Sequence, residues 1–235
     1  MACSGSDQGD NIPENGKETV AALDDLFLKL ADQEDSGSIS EEVIKLNEAI
    51  RRTIENIPHG QLAEIGENYS QGEHGFSLAL SEDGKLGIVS WYTKMDASGN
   101  KIKNMALYES RDRLEVSSLL GSPIIYEKIH QVETYKGEVL YMLHGKDHTG
   151  PDSFSRLDAY TVRNGQLEQV PAFPNNESSI STAKLEEGTD PSDPLGFKVV
   201  MNGSRILFPD INGKVLKDQT LAFNGKKYVP ESEME

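Results

Sequence analysis

Cysteine is nearly missing from this chain of 235 residues, because Cys3 is the only one. A single cysteine excludes an intramolecular disulfide and a zinc site built from cysteine thiolates. Long apolar runs are missing too, and no stretch approaches the roughly 20 residues that a membrane-spanning helix needs. The sequence as numbered therefore predicts a protein that does not cross a membrane.

Basic residues are also scarce, since 23 Lys and Arg face 39 Asp and Glu for a net charge of −16. Residues 1–70 hold 15 acidic and 5 basic residues (net −10), and residues 71–235 hold 24 and 18 (net −6). Such a surface repels phosphate groups, so neither nucleic acid nor anionic lipid head groups are expected partners. The favoured interpretation of the acidic excess is a solvated helix face and tail.

The position of the cysteine is informative. The chain opens Met1-Ala2-Cys3-Ser4-Gly5 and stays small and polar as far as Gly16. A small residue before a cysteine, with a polar tether behind it, resembles the cleavage point of bacterial lipoproteins. That resemblance implies lipid attachment at Cys3, a disordered tether over residues 1–16, and an apolar signal preceding this numbering. The alternative is an ordinary disordered terminus with a chance Ala-Cys pair.

Two apolar stripes of helical period follow the tether. Val20, Leu23, Phe27 and Leu30 predict a helix of about 15 residues that ends in the polar stretch 32–38. Ser38 with Glu41, or Ser40 itself, is expected to cap a second helix, which ends before Pro58. Its apolar face carries Val43, Leu46, Ile50, Ile54 and Ile57. The pair forms a helical hairpin, and a short helical turn is expected near residues 61–67.

From Gly75 the apolar period changes from 3.6 to 2, which indicates strands. Turn dipeptides such as Asp83-Gly84, Asn164-Gly165 and Asn224-Gly225 separate them, and connections this short force neighbouring strands to be antiparallel. Residues 174–195 are polar and predict a long loop. The expected strands begin with the Phe76–Leu80 alternation and Leu86–Tyr92, and continue through Asn104–Glu109, Ile124–Val132, Val139–His144, Leu157–Arg163, Leu167–Phe173, Phe197–Met201, Arg205–Phe208, Val215–Lys217, Thr220–Phe223 and Lys227–Val229.

The predicted fold class is therefore α+β, with an N-terminal helical hairpin (17–70) followed by a mainly antiparallel β-meander (71–235). A sandwich, an open barrel and a propeller-like arrangement all fit this strand pattern. A parallel nucleotide-binding sheet is excluded from Gly75 onward, because the turns leave no room for crossover helices.

Histidine chemistry centres on His144, Asp147 and His148, which could bind a divalent ion if their segment folded back on itself. Gly145 and Gly150 favour a polar turn between two strands instead, so no metal and no cofactor are expected. The segment 96–100 resembles the start of an EF-hand, but its glycine and the residue at the twelfth position do not fit a calcium loop. A hairpin turn is the better interpretation.

Aromatic residues are few, at 7% of the chain. Trp91, Tyr92 and Tyr108 could form a platform on which sugar rings stack, although a β-domain needs most of its aromatic residues for core packing.

Nucleophile-elbow and phosphate-loop motifs are missing, and no catalytic residue is identified.

One segment resembles a known group of proteins. Asp83-Gly84-Lys85-Leu86, followed by Ile88, Ser90, Trp91 and Thr93, is similar to a hairpin in uncharacterised Bacteroides-type secreted proteins and lipoproteins. The ending Phe223-Asn224-Gly225-Lys226 is like the closing hairpin of such domains. The resemblance implies a location in the cell envelope and implies no activity.

The function expected from the sequence is a non-enzymatic, outer-membrane-anchored lipoprotein whose β-domain binds a ligand or a protein or glycan partner. Its only membrane contact would be the lipid on Cys3. One alternative is a hydrolase with a site between the β-domain and the 174–195 loop, using His144, Asp147 or His148. The other is a structural subunit of an envelope complex.

Overall fold

A computed structural model describes residues 13–33, 39–95, 101–119, 124–147, 154–182, 198–209 and 215–234. For residues 147, 154, 209 and 215–219 it describes the backbone only. Within these ranges the helices are α1 (Gly16–Ala31), α2 (Glu41–Glu55) and α3 (Leu62–Asn68). The strands are β1 (Ser77–Leu80), β2 (Leu86–Tyr92), β3 (Ile102–Ser110), β4 (Arg113–Ser118), β5 (Ile125–Glu133), β6 (Val139–Asp147), β7 (Phe154–Arg163), β8 (Gln166–Gln169), β9 (Ser179–Ser181), β10 (Lys198–Val200), β11 (Arg205–Pro209), β12 (Val215–Phe223) and β13 (Tyr228–Pro230).

Side-chain caps set the starts of the two long helices. The Asn15 side chain accepts a hydrogen bond from the Glu18 amide at the start of α1. The Ser40 hydroxyl accepts one from the Val43 amide at 3.1 Å, so Ser40 is the cap of α2. Each cap satisfies an amide that has no partner inside the helix. The predicted helical hairpin and the short third helix are confirmed.

The strands form three antiparallel sheets, and in each sheet the four main strands follow the order of the sequence. The first sheet contains β1–β4 and the second contains β5–β8, with β9 added against β7. The third sheet contains β10–β13. The predicted α+β fold with an antiparallel meander is confirmed, and the described strands close into no barrel.

Three apolar cores join these parts in layers. The first core joins the helices to one face of the first sheet, through Phe27, Ile50, Ile54, Trp91 and Leu107 among others. The second core joins the other face of the first sheet to the second sheet. The third core lies between the second and third sheets and contains Met142, Leu157, Phe173, Ile206 and Tyr228. The layers therefore run from helices through the first and second sheets to the third.

Positive-φ residues make the tight turns. Asn164 and Gly165 have φ of 52° and 84°, the signs that a two-residue hairpin of type I′ requires. Strand β4 was not predicted from the sequence, because the turn before it contains no glycine and is made by Arg111, with φ of 58°. Turn residues such as Asn212-Gly213 and Ser98-Gly99 lie outside the described residues.

Several predicted boundaries were wrong. Strand β6 continues through Gly145 to Asp147, where a turn was expected, because this segment pairs with both β5 and β7. The start of the predicted 174–195 loop forms a 3₁₀ turn at Pro174–Asn176 and then strand β9. Residues 183–195 of that loop lie outside the described part. Residues 215–223 form one strand rather than two.

Candidate functional site

An open cavity of about 440 Å³ lies where three parts of the fold meet. One wall comes from the segment after α3, another from the end of β2, and the third from the start of β5. Most of its lining is aromatic or polar: Tyr69, Gln71, Gly72, His74, Gly75, Phe76, Ser77, Ser90, Trp91, Tyr92, Ile125 and Glu127. A concave site with aromatic walls and a few polar groups is the usual form of a small-molecule site.

The segment 69–77 is held in place by one tyrosine hydroxyl and one glycine. The Tyr69 hydroxyl donates to the Phe76 carbonyl and accepts from the Leu78 amide, both at 3.0 Å. A Cβ atom on Gly75 would lie 2.8 Å from Phe27 Cβ, so only glycine allows this approach to α1. The wall of the cavity is therefore tied to both β1 and α1.

His74, in this wall, is paired with the carboxylate of Asp24 on α1. His74 Nδ1 lies 2.5 Å from Asp24 Oδ2 of α1, and the two side chains are 13% and 28% exposed. The His74 ring also stacks on Tyr69, with centroids 5.0 Å apart. A carboxylate on Nδ1 fixes the orientation of the imidazole and leaves Nε2 as its second ring nitrogen.

A β-bulge places Glu127 in the cavity. Tyr126 pairs with Gly145 and Lys128 pairs with His144, so Glu127 is the extra residue of β5. Ser77 Oγ donates to the Tyr126 carbonyl at 2.9 Å, and the Tyr126 amide donates to Ser90 Oγ at 3.2 Å. Bulges redirect side chains next to functional sites, and the Glu127 carboxylate lies 3.2 Å from Lys146 Nζ.

The three aromatic residues of the predicted platform occupy different places. Trp91 is 3% exposed and belongs to the first core, and Tyr108 is 6% exposed and belongs to the second. Tyr92 is 38% exposed. Trp91 and Tyr92 both line the cavity, but Tyr108 does not, because it pairs with Leu86 at the opposite end of β2 from Tyr92, so the three do not form one surface.

Only one member of the predicted histidine cluster, His144, has a described side chain. His144 lies on β6, where its ring stands 5.8 Å from that of His130 on β5. Asp147 ends β6 with its side chain outside the described part, and His148 lies outside it entirely, as do Cys3 and residues 96–100. No group of three or more His, Cys, Asp or Glu among the described residues is arranged to hold a metal ion.

A buried ionic network lies between the first two sheets. Asp158 is fully buried and accepts hydrogen bonds from the Tyr126 hydroxyl at 2.8 Å and from Arg156 at 2.7 and 3.0 Å. Burial and the neighbouring Asp158 carboxylate raise the pKa of Tyr126 well above its usual range. Gln169 adds a further donor to Asp158 at 3.3 Å. With this many donors the carboxylate is a structural group.

Sequence reasoning missed Tyr69, His74, Asp24 and Glu127 as site residues. The only sequence signal was a histidine between two glycines, Gly72 and Gly75. His74 and Asp24 are 50 residues apart, and no spacing rule connects them. Glu127 lines the cavity at a bulge of β5, which no turn residue in the sequence marks.

The chain matches no protein-family model, no curated protein and no solved structure at a significant level. Among the described helices, none is both long and apolar enough to cross a membrane. The resemblance of the 83–93 segment to Bacteroides-type secreted proteins and the location in the cell envelope therefore stay predictions.

Proposed function

We propose that this protein is a lipid-anchored protein of the bacterial cell envelope that binds a ligand without converting it, and that the 440 Å³ cavity is its binding site. The observation that supports this proposal is the combination of aromatic walls with a carboxylate delivered by a β-bulge. Bulges are over-represented next to active sites, and aromatic walls with a few polar groups are typical of small-molecule sites.

The lining favours a neutral ring compound such as a saccharide. Tyr69, Phe76, Trp91 and Tyr92 line the cavity and offer apolar contact to a ring face. Gln71 and Glu127 offer groups that can hydrogen-bond hydroxyls. An anionic ligand is disfavoured, because Glu127 is the only carboxylate residue among the described residues of the cavity lining, no lysine or arginine belongs to that lining, and the chain carries a net charge of −16.

The geometry favours binding over turnover. The aliphatic hydroxyls that line the cavity belong to Ser77 and Ser90, and both are engaged with the Tyr126 backbone. An activated nucleophile would instead need its hydroxyl within hydrogen-bond reach of a base such as His74. The serines act as supports for the bulge.

Ligand-observed NMR with cellobiose, maltotriose and diacetylchitobiose tests this proposal. We expect saturation transfer to at least one of these sugars, and we expect Tyr92→Ala and Glu127→Gln each to weaken binding about tenfold, since one good contact contributes about 1.4 kcal/mol. Tyr135→Ala is the matched control, because Tyr135 is 86% exposed and lies away from the cavity. The proposal fails if no sugar binds, or if Tyr135→Ala weakens binding as much as Tyr92→Ala.

A hydrolase is the second candidate, and the Asp24–His74 pair favours it. A carboxylate-oriented imidazole is the arrangement of a general base. Release of nitrophenol from nitrophenyl esters and glycosides would support this candidate only if His74→Gln abolished it. Turnover that survives in His74→Gln would exclude this site as its source.

The lipid anchor is tested separately from the cavity. Replacing Cys3 with alanine in the full-length gene removes the atom to which lipid would be attached, and an acyl chain binds a membrane by about 0.8 kcal/mol per buried CH₂. We expect the Cys3→Ala protein to move from the membrane fraction to the soluble fraction. Unchanged membrane association would overturn the anchor and leave the binding site untouched.

A further inference from the structure

Two histidines that do not line the cavity stand side by side on the second sheet. His130 of β5 is opposite Met142 of β6, and His144 follows Met142 by two residues. Side chains at these positions share one face of a sheet, and this face carries the third core, to which Met142 belongs. The two imidazole centroids are 5.8 Å apart and the ring planes meet at 34°.

His130 has a ring nitrogen that its protein surroundings leave unsatisfied. Nε2 of His130 is buried and has no hydrogen-bond partner among the described residues. A buried polar atom in that condition points to an unseen ligand, water or ion. Two rings that share one ion at a metal–nitrogen distance of about 2.0–2.1 Å have their centroids roughly 5–6 Å apart, which fits the observed separation.

Burial favours the neutral form of both imidazoles, which is the form that binds metals. Burial, together with the charge of Lys128, lowers the pKa of His130 to about 4. Burial also lowers the pKa of His144. Both shifts reduce the competition between protons and a metal ion for the ring nitrogens. Both residues retain partial exposure, which gives an ion a route to the pair.

We propose that His130, His144 and Met142 form a binding site for a cuprous ion. Imidazole and thioether ligands together suit Cu(I), whereas harder ions prefer carboxylates. The charged groups nearby are Lys128, Lys146 and Glu127, two cations and one anion. A monovalent ion meets half the Coulomb repulsion from the lysines that a divalent ion meets.

The test is a competition titration of Cu(I) against bicinchoninate, under anaerobic reducing conditions at pH 7. The full chain carries Cys3→Ser, because the Cys3 thiol is itself a strong ligand for Cu(I). We expect one equivalent of Cu(I) to bind, and His130→Ala and His144→Ala each to weaken it at least tenfold. His59→Ala is the control, since His59 is exposed in the turn after α2.

Met142→Leu distinguishes the thioether from a site made of histidines alone. This change conserves volume, and we expect it to weaken Cu(I) about tenfold while Zn²⁺ binding, measured with the same proteins, stays the same. Far-UV circular dichroism and thermal unfolding without metal show that each variant is folded. If a variant is unfolded, the ¹⁵N chemical shifts of the His130 and His144 imidazoles are measured in the Cys3→Ser chain instead. The proposal requires the shifts of both residues to change when Cu(I) is added.

Three results would overturn the proposal. The first is no Cu(I) binding in the Cys3→Ser chain. The second is an equal loss of affinity in His59→Ala and His130→Ala. The third is tighter binding of Zn²⁺ than of Cu(I), which would show that the thioether and the low ionic charge do not select the ion.

Discussion

Trp91 Nε1 donates a hydrogen bond to Asn47 Oδ1 at 3.0 Å, and this bond joins β2 to the apolar face of α2. The Asn47 amide nitrogen donates in turn to the carbonyls of Val43 and Thr93, both at 2.8 Å. Asn47 is 8% exposed and Trp91 is 3% exposed. A polar side chain in the middle of an apolar helix face is therefore satisfied by the sheet on which it packs.

Replacing Asn47 with leucine should destabilise the fold by about 1–3 kcal/mol, because the buried Trp91 N–H and Thr93 carbonyl lose their partners. Urea unfolding followed by the fluorescence of Trp91, the only tryptophan, measures this directly. Asn56→Ala is the matched control, since Asn56 is exposed at the end of α2 and its amide bonds only the nearby Arg52 carbonyl. Equal losses in the two variants would contradict the structural role of Asn47.

Gly203→Ala tests how closely the third sheet approaches the second. Gly203 has φ of +85°, and a Cβ there would lie 2.9 Å from the Gln131 carbonyl oxygen of β5. Gly60 has φ of +83° with nothing within 4 Å of the added atom, so Gly60→Ala reports the backbone conformation alone. We expect about 1–2 kcal/mol for Gly60→Ala and at least about 1 kcal/mol more for Gly203→Ala in urea unfolding. Equal losses of stability in Gly203→Ala and Gly60→Ala would contradict the close approach of Gly203 to β5.

Tyr126→Phe removes one donor from buried Asp158 while the two Arg156 bonds remain. A hydrogen bond to a charged group contributes about 1.5–3 kcal/mol, and we expect a loss of that size in the free energy of unfolding. Tyr135→Phe should change stability by less than about 0.5 kcal/mol, because its side chain is 86% exposed. A loss in Tyr126→Phe no larger than in Tyr135→Phe would mean that the hydroxyl adds nothing to the network.

Stability should fall as the pH drops from about 6.5 towards 4. The folded His130 has its pKa lowered to about 4, so in this window the unfolded chain binds more protons than the folded one. The free energy of unfolding therefore rises with pH in this window. The contribution of neutral His130 to stability is fully present above the pKa of the unfolded chain. Because the ring is partly exposed, we expect an effect of about 1–2 kcal/mol.

Urea unfolding of the wild type and of His130→Phe at pH 4.5 and 7 measures this effect. The pH dependence should be smaller in His130→Phe, and His59→Ala should keep the full dependence. A His130→Phe protein whose stability falls as steeply as that of the wild type would assign the acid sensitivity to other groups.

The sequence alone determined the features that depend on residues close together in the chain. Helical stripes such as Val20 to Leu30 and turn pairs such as Asn164-Gly165 depend on backbone geometry over a few positions, so helices α1 and α2 and the antiparallel meander were predictable. Strand β4 was not, because Arg111 makes its turn without the glycine that marks most hairpins.

Only the tertiary structure decided the layers and the sites. The pairing of Asp24 with His74 and the neighbouring rings of His130 and His144 depend on how α1 packs and how β5 registers with β6. The bulge at Glu127, a cavity-lining residue, contains no glycine or proline that would have predicted it. Contacts between residues 14 to 50 positions apart are set by packing and strand register, which no local pattern in the sequence encodes.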